Sequence, residues 1–236
     1  MNLLIATSNL HKFQEISHVL SGSGALTLSS LADLRVDIPE PEEDAPTFEG
    51  NARIKAEAYA AEAGLPTLAD DSGLVVDALS GKPGVHSARY AWDDFEERWS
   101  AMPRRDRDLA NNAKLLAALE GVPAGQRSAR FVCAMVLVFP DGGREEVVAE
   151  GVYPGRILMP HEAEDPEEPQ RGRGNNGFGY DPLLVLDDTF PQHAGKTSAE
   201  RAPAEKNAIS HRGVATRRVR EYLVAARVLQ DSGDRT

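Results

Sequence analysis

Short apolar runs alternate with helically spaced apolar residues at the start of the chain. Residues 3–6 (Leu-Leu-Ile-Ala) predict a buried strand, and residues 27–28 belong to a second short strand. Between them, Phe13, Ile16 and Leu20 recur at the spacing of one helix face. Strand, helix and strand in this order are typical of an α/β protein.

A second helix follows an acidic loop. Residues 39–44 are rich in proline and glutamate, which predicts a loop. The alanine-rich residues 47–64 predict a helix that begins at a threonine cap and ends at a glycine. We expect Ile54, Ala58 and Ala61 on its inner face.

Two adjacent carboxylates, Asp70 and Asp71, follow the next apolar run, residues 65–69. Ser72-Gly73 comes next, so we expect the strand to end in a turn there, with residues 74–76 continuing beyond it. In open α/β sheets, ligands bind beyond the carboxyl ends of strands. A carboxylate pair there can hold a divalent cation or activate a water. Aspartates before Ser-Gly also form Asx turns, so a structural role is the alternative.

Other charged residues add to this candidate site. Glu42 and Glu43 in the acidic loop can complete a Mg²⁺ shell, although most acidic runs are merely solvated. Lys55, on the predicted helix, can serve as a counter-charge to the aspartates, although a surface lysine needs no such role.

The middle of the chain predicts a helix and a hairpin. Residues 110–119 have helical spacing and are followed by glycine and proline. Residues 127–139 and 145–152 predict two strands joined by the turn Asp141-Gly142-Gly143.

A polar loop and a last helix complete the pattern. Residues 160–176 predict the loop, and residues from about 214 to 229 predict an amphipathic helix. The residues expected on its inner face are Val219, Tyr222, Leu223 and Ala226. No repeat or linker divides the chain, so we expect one α/β domain around a mixed sheet.

Composition and charge narrow the possible partners. The chain has 236 residues and a net charge of −11, which argues against a nucleic-acid polymer because that partner needs a basic face. A few focused lysines can still bind a small phosphate ester. The single cysteine, Cys133, lies in an apolar stretch that predicts a buried, unreactive thiol. The N-terminal residues do not form a signal peptide and no run is long enough to span a membrane, so we expect a cytoplasmic protein.

The polar turn Thr7-Ser8-Asn9 stands where the first strand passes into the first helix. The free N–H groups and positive dipole end of a helix start suit a phosphate, and Lys12 can reach the same anion. Thr, Ser and Asn are also common helix caps, so the alternative is a capped helix beside an exposed lysine.

Two further polar clusters lie in the last third of the chain. The loop from Gly177 to Pro182 (Gly-Phe-Gly-Tyr-Asp-Pro) can stack a flat ring on Phe178 while Asp181 accepts hydrogen bonds. The alternative is a tight turn whose aromatic rings fill the core. Ser210-His211-Arg212-Gly213, preceded by Lys206, is either a binding group or a serine cap followed by solvated basic residues.

Six motifs follow one another in order along nearly the whole chain. They are Thr7-x-Asn9-x-x-Lys12, Thr47-Phe48-Glu49-Gly50-Asn51-Ala52, Ala69-Asp70-Asp71-Ser72-Gly73-Leu74, Gly81-x-Pro83-Gly84-Val85-x-Ser87-Ala88-Arg89-Tyr90, Gly177-Phe178-Gly179-Tyr180-Asp181-Pro182 and Ser210-His211-Arg212-Gly213. Together they closely resemble the inosine/xanthosine triphosphate pyrophosphatase family. Each motif alone is weak, but the ordered set is very specific.

The resemblance implies an α/β fold, with a long mixed β-sheet flanked by helices and two lobes around a central cleft. It implies one nucleoside-triphosphate pyrophosphatase domain over residues 1–236. The implied reaction is Mg²⁺-dependent hydrolysis of ITP, dITP and XTP to the nucleoside monophosphate and pyrophosphate, which removes non-standard purine nucleotides. The implied assembly is a homodimer, with no nucleic-acid or membrane partner.

The resemblance also implies roles for individual residues. Asp71 resembles the acid that binds the metal and activates water, and Glu43 resembles a second metal-side carboxylate. Ser72 resembles a phosphate contact, and Lys55 is grouped with the substrate-binding residues. The implied triphosphate-binding turn is Thr7, Ser8, Asn9, Leu10, His11 and Lys12. The implied base-recognition set is Phe178, Gly179, Tyr180, Asp181, Lys206, His211 and Arg212.

Arg212 is the expected determinant of base choice. A buried donor aimed at the C6 oxygen of inosine or xanthine would leave the N6 amino group of adenine unpaired. Two other functions stay open: a nucleotide-binding regulator without catalysis, and a pyrophosphatase for modified pyrimidine or methylated nucleotides. Residues 93–108 and 161–173 form longer segments than is typical of the family, which bears on substrate access rather than on the chemistry.

Overall fold

The computed structural model describes residues 1–21, 26–34, 38–92, 101–140 and 146–226. Its strands are β1 (Asn2–Ile5), β2 (Thr27–Ser30), β3 (Thr67–Val76), β4 (Ser128–Val138), β5 (Val147–Ile157) and β6 (Leu184–Leu186). They form one sheet in the order β2-β1-β3-β4-β5-β6. β1 pairs in parallel with β2 and β3, whereas β5 and β6 are antiparallel. The predicted α/β class with a mixed sheet is therefore confirmed.

The principal described helices are α1 (Leu10–Leu20), α2 (Phe48–Ala63), α3 (Arg104–Ala118), α4 (Pro203–Ile209) and α5 (His211–Ala225). Their ends carry the predicted caps. Thr47 accepts from the backbone N–H of Gly50 at the start of α2, and Gly64 ends it in the left-handed conformation with φ +63°. Within the described ranges, no helix is long and apolar enough to cross a membrane.

The chain divides into two compact units. Unit 1 comprises Met1–Ser72, Val132–Val152 and Asn207–Thr236, and unit 2 comprises Gly73–Phe131 and Tyr153–Lys206. The division falls within β3, β4, β5 and α4. The expectation of a single functional domain over residues 1–236 stays a prediction.

The core of unit 1 has two apolar clusters, because successive side chains of a strand point to opposite faces. Leu3 of β1 lies in a cluster with Ile16 of α1 and Val219 of α5. Leu4 lies in the other cluster, with Ala52 of α2. Polar residues at alternate positions of β3 therefore lie on different faces and have different neighbours.

The predicted inner face of α2 is wrong. Ala61 is exposed, and Ile54 and Ala58 are only partly buried. The buried side chains include the polar residues Asn51 and Lys55. Because polar residues occupy two of the buried positions, the apolar residues of α2 do not recur along its buried face. The spacing therefore predicted the neighbouring face instead.

Two helix starts also differ from prediction. α3 begins at Arg104 rather than at residue 110, because its first two turns are charged and carry no apolar period. The last helix begins at His211 rather than at residue 214, and α4 precedes it. Val219 and Leu223 face inward as predicted, whereas Ala226 is exposed.

The two long strands, β4 and β5, are described by the structure and follow the prediction in part. β4 agrees closely with the predicted strand, and β5 continues five residues further than predicted, to Ile157 rather than to residue 152. The predicted hairpin turn at residues 141–143 and the end of the last helix beyond residue 226 lie outside the described residues.

Unit 2 contains α3 and β6 among segments with little regular structure. Buried Arg127 organises part of it by donating to the carbonyl oxygens of Val122, Leu158 and Leu119 at 2.9, 3.0 and 2.7 Å. Several irregular turns are thereby tied to one guanidinium, whose donors are all directed at backbone.

Candidate active site

Asp70 and Asp71 lie inside β3 rather than at its end. The strand continues past both of them, so the predicted turn at Ser72-Gly73 is wrong: these residues continue the pleat. Leu68 belongs to the cluster that contains α1 and α5, and Ala69 to the cluster that contains α2. By strand alternation, Asp70 shares the first face and Asp71 the second.

On the α2 face, Asp71 has an amide and an ammonium beside it. Asn51 Nδ2 donates to Asp71 Oδ2 at 3.2 Å, and Lys55 Nζ lies 3.7 Å from Asp71 Oδ1. The same ammonium donates to Glu43 Oε2 at 2.8 Å. Lys55 therefore stands between two carboxylates, as the expected counter-charge, whereas Glu42 is exposed.

Burial and charge act in opposite directions on this face. Burial raises the pKa of the Asp71 carboxyl, and the nearby Lys55 ammonium only partly offsets that effect. Burial lowers the pKa of Lys55, but the carboxylates of Asp71, Asp70 and Glu43 outweigh it and raise that pKa above its ordinary value. Asp71 is thus a carboxyl of increased proton affinity beside a cation that stays charged, which suits a general base.

The donor chemistry of the α2 face suits a hard divalent cation. Mg²⁺ is usually bound through one or two carboxylates, with water and substrate phosphates completing its shell. Glu43 and Asp71 already share one positive group, the ammonium of Lys55. Among the described residues, no cluster of three or more His, Cys, Asp or Glu side chains is placed to enclose a metal. The site therefore fits a cation held jointly with a phosphate.

On the opposite face, Asp70 is 2 % exposed and anchors two cations. Lys12 Nζ lies 3.0 Å from Asp70 Oδ2, and Arg212 Nε and Nη2 donate to the same oxygen at 3.3 and 3.2 Å. Burial alone would raise the pKa of Asp70, but Lys12 and then Arg212 outweigh it and hold the pKa below its ordinary value. Its second oxygen, Oδ1, has no hydrogen-bond partner in the part of the chain that the structure describes.

Cys133 lies close to Asp70 and is buried. Its Sγ is 3.9 Å from Asp70 Oδ2 and the residue is fully buried. Burial, followed by the Asp70 charge, raises the pKa of the thiol well above its ordinary value. The prediction of a buried, unreactive cysteine is confirmed.

Arg212 is 1 % exposed, and acids and a hydroxyl of unit 1 surround its guanidinium. Besides Asp70, Nη1 donates to Glu15 Oε2 at 2.6 Å and Nη2 to Ser72 Oγ at 2.8 Å. His211 is also buried, so the alternative of solvated basic residues is wrong. The expected contact between Arg212 and a C6 oxygen stays a prediction.

The serine and asparagine caps are confirmed. Ser210 Oγ accepts from the backbone N–H of Gly213 at 3.2 Å, at the start of α5. Asn9 Oδ1 accepts from the N–H of His11 at 3.1 Å, at the start of α1. Lys12 is not a simple exposed lysine, because Asp70 holds its ammonium. Phosphate binding by this turn stays a prediction.

In unit 2, the loop that carries Phe178 is built on a buried carboxylate. Asp181 Oδ2 accepts from the backbone N–H of Phe178 at 2.8 Å and from Lys206 Nζ at 2.7 Å. Asp181 Oδ1 accepts from Ser198 Oγ at 2.7 Å. Gly177 has φ +81°, and a Cβ there would lie 2.1 Å from Asp181 Oδ2, so only glycine fits this position.

The two aromatic residues of this loop differ in their surroundings. Tyr180 is buried and its hydroxyl donates to the carbonyl oxygen of Ser87 at 2.8 Å, so it fills the core as the structural alternative proposed. Phe178 is only half-buried. The structural alternative therefore holds for Tyr180. Stacking of a base on Phe178, whose ring is contacted by Arg104 and Lys206, stays a prediction.

Several residues around these clusters were not predicted: Glu15, Asn51, Arg104, Asp108, Asn112 and Ser198. Asn51 lies in one of the recognised motifs, and a polar side chain on an alanine-rich helix face was the signal. For the others no local signal exists, because each is an ordinary surface-type residue whose partner is distant in sequence.

Known proteins support one family. A model of the Ham1 family matches residues 3–222. A dITP/XTP pyrophosphatase of Geobacter sulfurreducens is 45 % identical over 94 % of this chain and 96 % of its own length. A HAM1 protein from Coxiella burnetii matches with a TM-score of 0.75 at 35 % identity, over 95 % of this chain and 99 % of its own. A nucleoside-triphosphatase / dITP/XTP pyrophosphatase from Mycobacterium abscessus matches with a TM-score of 0.65 at 41 % identity, over 94 % and 99 % of the two chains.

Proposed function

Because this chain belongs to the Ham1 family, we propose that it is a pyrophosphatase for non-standard purine nucleoside triphosphates. The proposed substrates are ITP, dITP and XTP, and the products are the nucleoside monophosphate and pyrophosphate. The cofactor is Mg²⁺, the location is cytoplasmic and the assembly is a homodimer. The observation that carries the proposal is the Glu43–Lys55–Asp71 arrangement on the α2 face of β3.

Asp71 and Glu43 would hold the metal, together with phosphate oxygens of the substrate. When bound, Mg²⁺ spreads the negative charge that develops on the phosphates during cleavage. Hard carboxylate oxygens are the ligands this ion prefers.

Asp71 takes the proton of the water that attacks between the α- and β-phosphates. Its carboxylate can take this role because it lies on the α2 face, beside the ammonium of Lys55 that it shares with Glu43. Asn51 holds Oδ2 from one side, which fixes the carboxylate relative to Lys55.

The triphosphate is held by the turn of Thr7, Ser8, Asn9, Leu10, His11 and Lys12, with Ser72 and Lys55. The start of α1 offers backbone N–H groups and the positive end of a helix dipole. Lys12 adds an ammonium whose position is set by Asp70. The residues that we propose for base recognition are Phe178, Gly179, Asp181, Lys206, His211 and Arg212, with Phe178 as the stacking surface. Tyr180, predicted with them, supports their loop from the core.

A nucleotide panel with Mg²⁺ tests the function. We expect ITP, dITP and XTP to yield monophosphate and pyrophosphate in equal amounts, at far higher kcat/KM than ATP or GTP. Formation of the nucleoside diphosphate and inorganic phosphate would contradict the proposal, as would a kcat/KM for ATP equal to that for ITP.

The adjacent glutamates Glu42 and Glu43 offer a matched pair of variants for the metal. Glu43→Gln should raise the Mg²⁺ concentration needed for half-maximal activity, because Glu43 faces Lys55 whereas Glu42 is exposed. Glu42→Gln should leave that concentration unchanged. Equal effects from the two variants would exclude Glu43 as the second carboxylate.

A further inference from the structure

One face of α3 contacts the loop that carries Phe178. Arg104, Asp108 and Asn112 are spaced by four residues, so they lie in one stripe along the helix. All three contact the same dipeptide of unit 2, Phe178-Gly179.

Asp108 and Asn112 hold the two polar groups of Gly179. Asp108 Oδ2 accepts from the backbone N–H of Gly179 at 3.0 Å. Asn112 Nδ2 donates to the carbonyl oxygen of Gly179 at 3.3 Å and to that of Gln170 at 3.1 Å. The peptide groups on both sides of the Gly179 α-carbon are thereby fixed to the helix.

Arg104 contacts the aromatic ring itself. Its guanidinium carbon lies 4.6 Å from the centroid of the Phe178 ring, within the range of a cation–π contact. Arg104 Nε is also 4.0 Å from Asp108 Oδ2. Arg104 in the first turn of α3 therefore contacts the ring, and Asp108, one turn further along the helix, binds the following peptide.

The preceding peptide is held from a different element. The N–H of Phe178 donates to Asp181 Oδ2, whose carboxylate packs against Gly177. Two successive N–H groups, those of Phe178 and Gly179, are each bound by a carboxylate. Charge-assisted hydrogen bonds on both fix the backbone of Phe178, and with it the direction of the bond that carries the ring.

We propose that Asp108 and Asn112 are positioning residues that fix the Phe178 ring for stacking against the purine base. This inference rests on the proposed function and assigns part of its base affinity to α3, which the sequence motifs did not include. A ring fixed before binding loses less conformational freedom when the base stacks on it. Loss of either residue should therefore weaken binding of nucleotides with a base and spare ligands without one.

The experiment compares ITP with inorganic pyrophosphate, which carries no base and is used as a competitive inhibitor. In Asp108→Ala, we expect KM for ITP to rise by about tenfold, the loss typical of a hydrogen bond to a charged group. In Asn112→Ala, which removes only neutral hydrogen bonds, we expect a rise of about two- to tenfold. We expect kcat and the inhibition constant of pyrophosphate to change little. A general loss of structure would change all three.

Two further variants keep the test decisive. Asp108→Asn retains an acceptor oxygen for the N–H of Gly179, so KM should return close to the wild-type value. Asp106→Ala removes an exposed carboxylate two residues before Asp108 in the same helix, and it should leave KM unchanged.

The outcomes separate this inference from the proposed function. If wild-type protein with Mg²⁺ does not hydrolyse ITP, both fall together. If it does, an unchanged KM in Asp108→Ala and Asn112→Ala overturns only the positioning role. A parallel rise of KM and the pyrophosphate inhibition constant, or failure of Asp108→Asn to restore KM, overturns it as well.

Discussion

Asp70 and Asp71 are neighbours in sequence, but their surroundings give them different tasks. Asp70 forms ion pairs with Lys12 and Arg212, which lower its pKa against the effect of burial. The pKa of Asp71 is raised because burial outweighs the ammonium groups of Lys55 and Lys12. The first residue is suited to anchor cations, and the second to accept a proton.

Asp71→Asn should lower kcat for ITP by several orders of magnitude while nucleotide binding survives. Asparagine has nearly the same shape but cannot accept the proton, so the loss falls mainly on the transition state. Steady-state kinetics with Mg²⁺, combined with a direct binding measurement, check this. Turnover near that of the wild type would exclude Asp71 as the general base.

Lys12→Ala should mainly weaken binding of the triphosphate, by roughly 1.5–3 kcal/mol, as for a charge-assisted hydrogen bond. KM for ITP and the inhibition constant of pyrophosphate should rise together, because both ligands carry the phosphates that we propose Lys12 binds. Lys196→Ala, which removes an exposed lysine, should change neither constant. An unchanged KM in Lys12→Ala would leave this turn as a capped helix start and no more.

At the scale of elements, an ion pair fixes the turn that follows β5. Arg156 Nη1 and Nη2 donate to the two carboxylate oxygens of Glu162, each at 2.7 Å, and the N–H of Met159 donates to Oε2 at 2.7 Å. The hydrogen bond from Arg156 lowers the pKa of Glu162 to about 2, from an ordinary value of 4.5. A carboxyl whose pKa is lowered by folding stabilises the native state above its unfolded pKa and loses that effect as the pH falls towards its folded pKa.

Glu162→Gln should therefore destabilise the protein at pH 7 by roughly 1 kcal/mol, a value limited by the partial exposure of the pair. The difference from wild type should shrink as the pH falls from about 4.5 towards 2. Urea unfolding at several pH values measures it, with Glu167→Gln, an exposed residue of the same loop, as the control. A difference independent of pH would show that the charge of Glu162 does not contribute.

At the scale of the whole molecule, the proposed metal belongs to the reaction and not to the fold. The described cores of unit 1 are made of apolar side chains. The described ranges contain no group of three or more metal-ligating side chains of the His, Cys, Asp and Glu types. Stability of the nucleotide-free protein should therefore not depend on a divalent cation.

Removal of Mg²⁺ with a chelator should abolish ITP hydrolysis and leave the thermal unfolding midpoint of the nucleotide-free protein unchanged. Circular dichroism melts with and without chelator, beside activity assays of the same samples, measure both effects. Full activity on returning Mg²⁺ is the control. A lower midpoint in the chelator would indicate a structural metal and contradict this expectation.

The fold class and several strands and helices could be predicted from sequence, because apolar spacing is a local property. β1, α1 and β4 lie close to their predicted bounds. Errors arose where polar, charged or small residues interrupt the apolar pattern within an element. Asn51 and Lys55 hide the inner face of α2, the charged start of α3 has no apolar period, and Ser72-Gly73 suggested a turn inside β3.

For the candidate site, too, some features follow from the sequence and others only from the tertiary structure. By itself, the sequence determined which residue types occur in which order, and that order was enough to recognise the family over nearly the whole chain. Only the tertiary structure decided which partners each residue has. Asp70 and Arg212 are 142 positions apart, and Glu15 and Arg212 are 197 apart. Such contacts arise when the faces of β3 pack against α1, α2 and α5, and no local pattern contains that information, because strand alternation assigns faces but not the helices that cover them.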